Sequence, residues 1–367
     1  MNSPEERHDK LIRATDLDAL SCRHSINEKN YLQPSDDYIN DLIKSYQTYL
    51  QYCQGYSSLS SSRTLKNQFS SRKLPLINRG TYLRTKIITD IILEFVKYCN
   101  GDCQIVSLGS GSDTRVFELL GSFPLLKYHE VDFPESTRIK KLAILNNSKL
   151  SKLLGIEQLE VPKIDSKESF SSFDPNLHTS SYHLHGLDLR ELTSKNQLQG
   201  LNSNSPTLVI SECVLCYLSP KEYHSAIKFW TESLNSNLTS FLIFEPMSLK
   251  DSFGSTMNQN LMGRGINLQT FDEYPDLESR TKFLKESCKL SNIRMTDLSN
   301  VAGYSKKSEP WIGAEELKRI NSLELIDEIE EIKLLLEHYC LCYGEAQGSS
   351  KNTFKNKDKW SWFVSTE

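Results

Sequence analysis

Residues 105–115 read Ile-Val-Ser-Leu-Gly-Ser-Gly-Ser-Asp-Thr-Arg, the pattern of a buried strand, a glycine turn and the first residues of a helix. A strand that turns directly into a helix needs residues without Cβ at the bend, and Gly109 and Gly111 meet that need. The same glycines let the backbone approach a bound cofactor closely. Because such a pair also occurs in ordinary strand-to-helix turns, its meaning depends on the residues of the next strand.

An acidic residue ends the second predicted strand, 128–132, about twenty residues after the glycine turn. In α/β nucleotide-binding folds an acid at this position binds ribose hydroxyls, and Asp132 occupies it here. Thr114 stands where the dinucleotide fingerprint has its third glycine, and the turn is not continued by Gly-Lys-Ser or Gly-Lys-Thr. A short Gly-x-Gly turn with an acid on the next strand therefore favours S-adenosylmethionine over NAD or ATP.

The composition is that of a soluble globular protein, since 38% of the 367 residues are hydrophobic and 25% are charged. A formal net charge of −4 gives no general attraction for nucleic acid. The apolar stretch 87–96 is interrupted by Thr, Asp and Glu, and residues 1–8 lack the apolar segment of a signal peptide. We therefore expect neither a nucleic-acid partner nor a membrane contact.

The chain has nine cysteines, an odd number, and no secretory signal. This usage indicates reduced thiols, so we expect the protein in the cytoplasm, with the nucleus as a second compartment. Cys213 and Cys216 form a Cys-x-x-Cys pair, but there is no second pair at zinc-ribbon spacing, and their neighbours are apolar. We interpret them as core residues and predict no metal site.

Predicted strands alternate with predicted helices, which is the pattern of an α/β fold with a doubly wound, mostly parallel, Rossmann-like sheet. The strands are predicted at residues 104–108, 128–132, 182–187, 207–211, 240–244 and 338–343. We predict five divisions. Residues 1–75 form an N-terminal helical arm with a serine-rich loop at 54–71, and residues 76–246 form the cofactor-binding core. Residues 247–310, which do not continue the alternation of strands and helices, form a lid or substrate insertion, followed by a C-terminal helix with the final core strand (311–344) and a mobile tail (345–367).

Polar residues lie at the ends of several of these strands. Ligands of open α/β sheets bind at that edge, and the glycine turn, Asp132, Asp188 and Glu212 are all expected there. Any one acid is equally well explained as a helix cap, but the set suits an adenosine cofactor. Asp132 would bind the ribose, Asp188 the adenine amine and Glu212 an ammonium group. Arg84 would pair with the cofactor carboxylate, or else is a solvent-exposed helix residue.

These residues resemble the leucine carboxyl methyltransferases that modify the catalytic subunit of type 2A protein phosphatases. The matching segments are in the family's order over most of the chain: 18–23 (Asp-Ala-Leu-Ser-Cys-Arg), 78–84 (Asn-Arg-Gly-Thr-Tyr-Leu-Arg), 106–115, 130–134 (Glu-Val-Asp-Phe-Pro), 188–192 (Asp-Leu-Arg-Glu-Leu), 211–218 (Ser-Glu-Cys-Val-Leu-Cys-Tyr-Leu), 251–254 (Asp-Ser-Phe-Gly), 322–328 and 338–340 (His-Tyr-Cys). Residues 54–71 and 148–180 are more divergent, which leaves the loop geometry there open, and the tail past 344 has no counterpart.

The resemblance implies a Rossmann-like fold and S-adenosylmethionine as the cofactor. Its cofactor contacts carry over to Arg84, Gly109, Asp132, Asp188, Leu189 and Glu212, with Arg23 as the basic residue of the opening segment and Gly111 added from the glycine turn. Tyr217 matches a tyrosine near the reacting methyl group, so Tyr217 and Arg84 are the predicted catalytic residues.

The substrate that the resemblance implies is the α-carboxylate of the C-terminal leucine of a phosphatase catalytic subunit. A terminal carboxyl group has a pKa of about 3.5, so near neutral pH it is already ionised and needs no general base. We expect a monomeric enzyme whose task is alignment of the reacting groups. Two alternatives stay open: a methyltransferase of a small-molecule carboxylic acid, and a phosphatase-binding module without catalysis.

Overall fold

The computed structural model describes residues 4–157, 161–193, 198–304, 310–347 and 364–365. Within these ranges nine strands form one sheet. In chain order the strands are β1 (Gln104–Leu108), β2 (Lys127–Asp132), β3 (Leu177–His178), β4 (Tyr182–Gly186), β5 (Thr207–Glu212), β6 (Thr239–Pro246), β7 (Leu290–Asp297), β8 (Tyr339–Ala346) and β9 (Val364–Ser365).

Helices precede the sheet and connect its strands. In chain order they are α1 (Pro4–Glu28), α2 (Ile39–Tyr49), α3 (Ser58–Ser70), α4 (Pro75–Tyr98), α5 (Arg115–Ser122), α6 (Pro134–Leu145), α7 (Ser148–Leu153), α8 (Lys167–Ser172), α9 (Pro220–Ser233), α10 (Ser252–Gly263), α11 (Leu277–Lys282), α12 (Leu298–Val301), α13 (Ala314–Asn321) and α14 (Ile329–Glu337). In the described part of the chain, none of them has the length and apolar character needed to cross a membrane.

The strand order in the sheet is β3-β4-β2-β1-β5-β6-β8-β7-β9. The five strands from β4 to β6 run parallel, whereas β3, β8, β7 and β9 each pair antiparallel with a neighbour. The chain builds outward from β1 in one direction through β2 and β4, and then in the other through β5 and β6. Its direction therefore reverses between β1 and β5, which is where open α/β sheets form a ligand-binding crevice.

The two faces of the sheet are covered by separate apolar clusters, because alternate residues of a strand point to opposite faces. On β1, Ile105 packs with α4 on one face, and Val106 and Leu108 pack with α9 on the other. The buried face of α4 includes Ile87, Ile88, Ile91, Ile92, Phe95 and Val96, as the helical spacing predicted. Burying one such side chain contributes about 1.5–3 kcal/mol, so α4 is firmly placed beneath the sheet.

The sequence predicted the central strands well, and the mostly parallel doubly wound fold is confirmed. Two local interpretations were wrong. Residues 54–71 are not a loop, because α3 occupies most of them, and its serines include a capping box in which Ser57 and Ser60 bond each other's backbone. The segment 247–310 is not an insertion throughout, because it contains β7, which pairs with β8 and is part of the sheet.

The predicted mobile tail, 345–367, lies mostly outside the described residues. The described parts of that tail include the end of β8 and the strand β9. Two residues of β9 pair with β7: Val364 with Met295, and Ser365 with Arg294. The tail therefore contributes an edge strand to the sheet at these positions.

Four histidines meet where β2, β4 and β3 pair: His129, His178, His183 and His185. The rings of His129 and His183 stack with centroids 4.6 Å apart, and His129 Nδ1 lies 3.3 Å from His185 Nε2. Burial, helped by the neighbouring histidines, lowers the pKa of His129 to about 2 and that of His185 to about 3. The cluster is thus packed in its neutral form.

We predict that this cluster makes the fold sensitive to acid. The folded rings stay neutral below the ordinary histidine pKa of about 6.5 while the unfolded chain takes up protons, so stability falls as the pH drops from about 6.5. His129→Phe keeps a stacked ring that does not titrate. Between about pH 7 and pH 5 the wild type should lose about 2 kcal/mol more unfolding free energy than this variant, measured by urea denaturation. Equal losses would contradict the assignment.

Candidate active site

A cavity of about 480 Å³ opens at the carboxyl ends of the parallel strands, beside the reversal between β1 and β5. It is roofed by α1 and bounded by residues of α4, α10 and α14. All nine residues predicted for the site line this one cavity: Arg23, Arg84, Gly109, Gly111, Asp132, Asp188, Leu189, Glu212 and Tyr217. Residues from widely separated parts of the sequence are thereby brought together, as the strand-end argument predicted for the acids.

The glycine turn after β1 lies tightly against its surroundings. Gly109 and Gly111 have φ values of +57° and +47°, in the left-handed region that favours glycine. A Cβ on Gly109 would lie 2.6 Å from Val214, and one on Gly111 would lie 2.2 Å from the Asp16 carboxylate. Side chains are excluded here by both backbone conformation and space.

Asp132 lies directly under this turn. One of its carboxylate oxygens accepts a hydrogen bond from the Gly111 N–H at 2.6 Å, and the other accepts one from the Phe133 N–H at 2.6 Å. Burial raises the pKa of Asp132 to about 6, although these two N–H groups act in the opposite direction. The carboxylate is therefore fixed in position beside the turn and protonates close to the physiological range.

Glu212, at the end of β5, binds two guanidinium groups. Arg84 of α4 donates to one carboxylate oxygen and Arg115 of α5 donates to the other. Burial acts to raise the pKa of Glu212, but the charges of Arg115 and Arg84 outweigh it and hold that pKa below its usual value. Arg84 also lies over the ring of Phe244, 5.1 Å from its centroid. Arg84 is thus a wall residue of the cavity and not a solvent-exposed helix residue.

Sequence reasoning did not assign a role to Arg115, although it begins α5 immediately after the glycine turn. Its Nε donates to both carboxylate oxygens of Asp113, at 3.0 and 2.9 Å, while its Nη2 reaches Glu212. Only 9% of its side chain is exposed. Its place in the sequence could have indicated a role in the site, because the first turn of the helix that follows the glycine turn faces the cavity.

The helix α1 covers the cavity, and hydrogen bonds of its side chains attach it to residues of the cavity wall that are distant in sequence. Asp16 accepts hydrogen bonds from the Ser112 N–H at 2.7 Å and from the Ser112 hydroxyl at 2.6 Å. Arg23 donates to Asp113 at 2.6 Å and to Asp36 at 3.2 Å. The covering role of α1 was not predicted, since the sequence interpretation assigned the lid to residues 247–310.

The remaining predicted residues lie in short turns at the ends of strands. Asp188 accepts a hydrogen bond from the Arg190 N–H at 2.8 Å and so caps the turn that holds Leu189. Tyr217 ends the turn after β5, where Gln269 Nε2 donates to its carbonyl at 2.9 Å. Burial raises the pKa of the Tyr217 hydroxyl well above its ordinary value, so near neutral pH the group is a hydrogen-bond donor.

The sheet with its reversal, the tight glycine turn and the acidic strand ends together define a Rossmann-like enzyme with its ligand site at the carboxyl edge. The family model described as "Leucine carboxyl methyltransferase" matches residues 12–231. The chain belongs to the leucine carboxyl methyltransferase family, and it is a methyltransferase.

Curated relatives match along most or all of their length. The chain is 55% identical to "Leucine carboxyl methyltransferase 1" of Candida albicans over 368 residues, covering 100% of both chains. It is 52% identical to the protein of the same name from Debaryomyces hansenii, covering 99% of this chain and 100% of the relative. With that of Schizosaccharomyces pombe the identity is 32%, covering 92% and 94%.

Removing Arg115 should destabilise the protein strongly. Arg115→Ala leaves the buried carboxylate of Asp113 and the partly buried one of Glu212 with one guanidinium partner fewer, and breaking a buried ion pair costs about 3–5 kcal/mol. Lys86→Ala is a control at a more accessible ion pair, because its partly exposed pair with Asp90 on α4 is worth about 1 kcal/mol at most. Urea denaturation of both variants measures the difference. A loss for Arg115→Ala no larger than for Lys86→Ala would contradict this account.

Proposed function

We propose that this protein uses S-adenosylmethionine to methylate the α-carboxylate of the C-terminal leucine of a type 2A protein phosphatase catalytic subunit. The observation that carries the proposal is that the glycine turn, Asp132 and the Arg84–Glu212 pair all line one cavity. Membership in the leucine carboxyl methyltransferase family supports the choice of a leucine carboxylate as the acceptor.

The donor groups of the cavity fit S-adenosylmethionine. Asp132 would bind the ribose hydroxyls, and Asp188 with Leu189 would hold the adenine. Glu212 would bind the ammonium group of the ligand and Arg84 would bind its carboxylate. The two side chains pair with each other in the structure, and each would then pair with the opposite charge of the ligand instead. Ser110 Oγ and Arg115 Nη1 are buried and have no hydrogen-bond partner among the described residues, as expected where a polar ligand binds.

When bound, this cofactor supplies a methyl group on a positively charged sulfur. The residues of the chain have to bring a carboxylate oxygen into line with it and to exclude water. Tyr217 is the proposed donor that holds one carboxylate oxygen, and Arg84 provides the nearby positive charge. Because a terminal carboxylate is ionised near neutral pH, no side chain has to remove a proton from it.

The roof formed by α1 supports this chemistry. The reaction combines an anion with a cation, and water stabilises both of them when they are apart. A covered cavity, with Asp16 and Arg23 holding α1 against the glycine turn, would keep water away from the reacting groups and so remove that stabilisation.

We further propose that the enzyme works as a monomer in the cytoplasm and also in the nucleus, where its nine free cysteines would stay reduced.

Asp132→Ala should weaken the binding of S-adenosylmethionine by about 1.5–3 kcal/mol, because a charged hydrogen-bond acceptor is lost. Wild-type affinity should also fall as the pH drops through about 6, since protonation of Asp132 removes the same acceptor. Isothermal titration calorimetry at several pH values measures both effects. The variant should show no such step. Unchanged affinity in Asp132→Ala would exclude the residue from the cofactor site.

The proposed function is tested by methyl transfer from tritiated S-adenosylmethionine to purified phosphatase catalytic subunit, with and without its terminal leucine. We expect label only on the complete subunit, released as methanol by mild base because the product is a methyl ester. Asp132→Ala serves as the inactive control. Base-stable label, or equal labelling of the truncated subunit, would refute the proposal. Transfer only to small carboxylic acids, or phosphatase binding without transfer, would establish the alternatives instead.

A further inference from the structure

Two segments that match the family have no part in the chemistry above: 251–254 (Asp-Ser-Phe-Gly) and 338–340 (His-Tyr-Cys). They are far apart in sequence but in contact in the structure. His338 Nε2 lies 3.0 Å from an oxygen of Asp251, and the ring of Phe253 packs on the His338 ring with centroids 4.6 Å apart. The two segments therefore form one structural unit, here called the α10 anchor and consisting of Asp251, Phe253, Gly254 and His338.

His338 is fully buried, and each of its ring nitrogens faces an acceptor. Nδ1 is 2.8 Å from the Leu334 carbonyl, and Nε2 is 3.0 Å from the Asp251 carboxylate. An acceptor on each side of the ring fixes its orientation. Because His338 directly follows α14, the ring joins the end of that helix to the start of α10.

The same Asp251 oxygen accepts a hydrogen bond from the Gly254 N–H at 2.8 Å and so caps α10. Gly254 is pressed against the backbone of Ser248, because a Cβ there would lie 1.8 Å from the Ser248 carbonyl oxygen. A further hydrogen bond, from the Met247 N–H to the His338 carbonyl at 2.8 Å, joins the chain before α10 to β8. The first turn of α10 is thus fixed to the sheet at several points.

Beyond this anchor, Met257 and Leu261 of α10 pack against an apolar cluster of Cys216, Ile266, Leu268 and Phe271. Gly254 is the one buried residue of the helix, and Met262 near its C-terminal end is 60% exposed. Yet Met257 and Leu261 line the cavity, and just after the helix Arg264 forms an ion pair with Asp18 of α1. The helix is therefore an apolar wall at the cavity mouth, held by the anchor at its start, by packing of Met257 and Leu261, and by the Arg264–Asp18 ion pair just after its end.

The residues proposed to bind the cofactor lie on the strand ends and on α4, which leaves the α10 wall for the acceptor. We propose that Asp251 and His338 are positioning residues that hold Met257 and Leu261 in place to bind the apolar last residue of the acceptor polypeptide. This inference rests on the proposed function. The expected occupant is an extended peptide end with an apolar side chain and a free carboxylate, since the wall is apolar and Arg84 supplies positive charge deeper in the cavity.

The test compares Asp251→Ala, His338→Phe and Asp251→Asn in the full chain. The first two should raise KM for the phosphatase subunit about tenfold, through loss of a charged hydrogen bond, while the dissociation constant of S-adenosylmethionine stays within about twofold. Asp251→Asn should restore KM to near the wild-type value, because its amide oxygen can still cap α10 and accept from His338. Leu261→Ala, which alters the wall directly, should raise the same KM.

Asp276→Ala is the matched control, since Asp276 caps α11 in the same way but does not line the cavity. It should leave KM for the acceptor unchanged. Melting temperatures report on folding, and if His338→Phe does not fold, the half-exposed Asp251 still provides the test. Wild-type KM in Asp251→Ala, or equal losses of cofactor and acceptor binding, would overturn the inference. A wild-type enzyme that transfers no methyl group would instead refute the proposed function.

Discussion

The site depends on a partly buried carboxylate that lies between two guanidinium groups. Glu212 at the end of β5 binds Arg84 of α4 and Arg115 of α5, so the strand and the two helices flanking the first strand are held at one point. Such charges are costly to bury unless they are paired, and removing one partner leaves an uncompensated charge. The arrangement therefore fixes the cavity geometry while keeping strong charges at its floor. A zwitterionic ligand can exchange partners with this network without leaving any charge alone.

Much of this could be predicted from local patterns. The glycine turn and the acids at three strand ends were recognisable because parallel strands bring their carboxyl ends to one edge, whatever their distance in sequence. The central strands were predictable as short apolar runs, and α4 from its helical spacing. The family resemblance supplied Arg23, Leu189 and Tyr217, which no spacing rule would have selected, and the structure brings all of them to the same cavity.

What local patterns missed has a physical cause in each case. The serines of α3 bond to the backbone at the start of the helix, and composition alone does not distinguish that from a loop. The strand β7 contains polar residues and a bulge, so it lacks the apolar run that identified its neighbours. Arg115, Asp16 and the α10 anchor depend on partners distant in sequence, and their roles appear only when the fold brings those partners into contact.

The roof of the cavity also has a consequence for how the protein is made. The helix α1 is synthesised before the sheet, yet four of its charged side chains bond to residues that emerge from the ribosome much later: Ser112, Asp113, Arg190 and Arg264. Contacts between such distant residues are slow to form because a long loop has to close first. Leu17 and Leu20 of α1 belong to an apolar cluster with residues of α2 and α3, such as Leu42 and Leu65, which follow α1 directly in the chain. The helical arm can therefore build its own small core during synthesis, before its polar side chains close over the sheet.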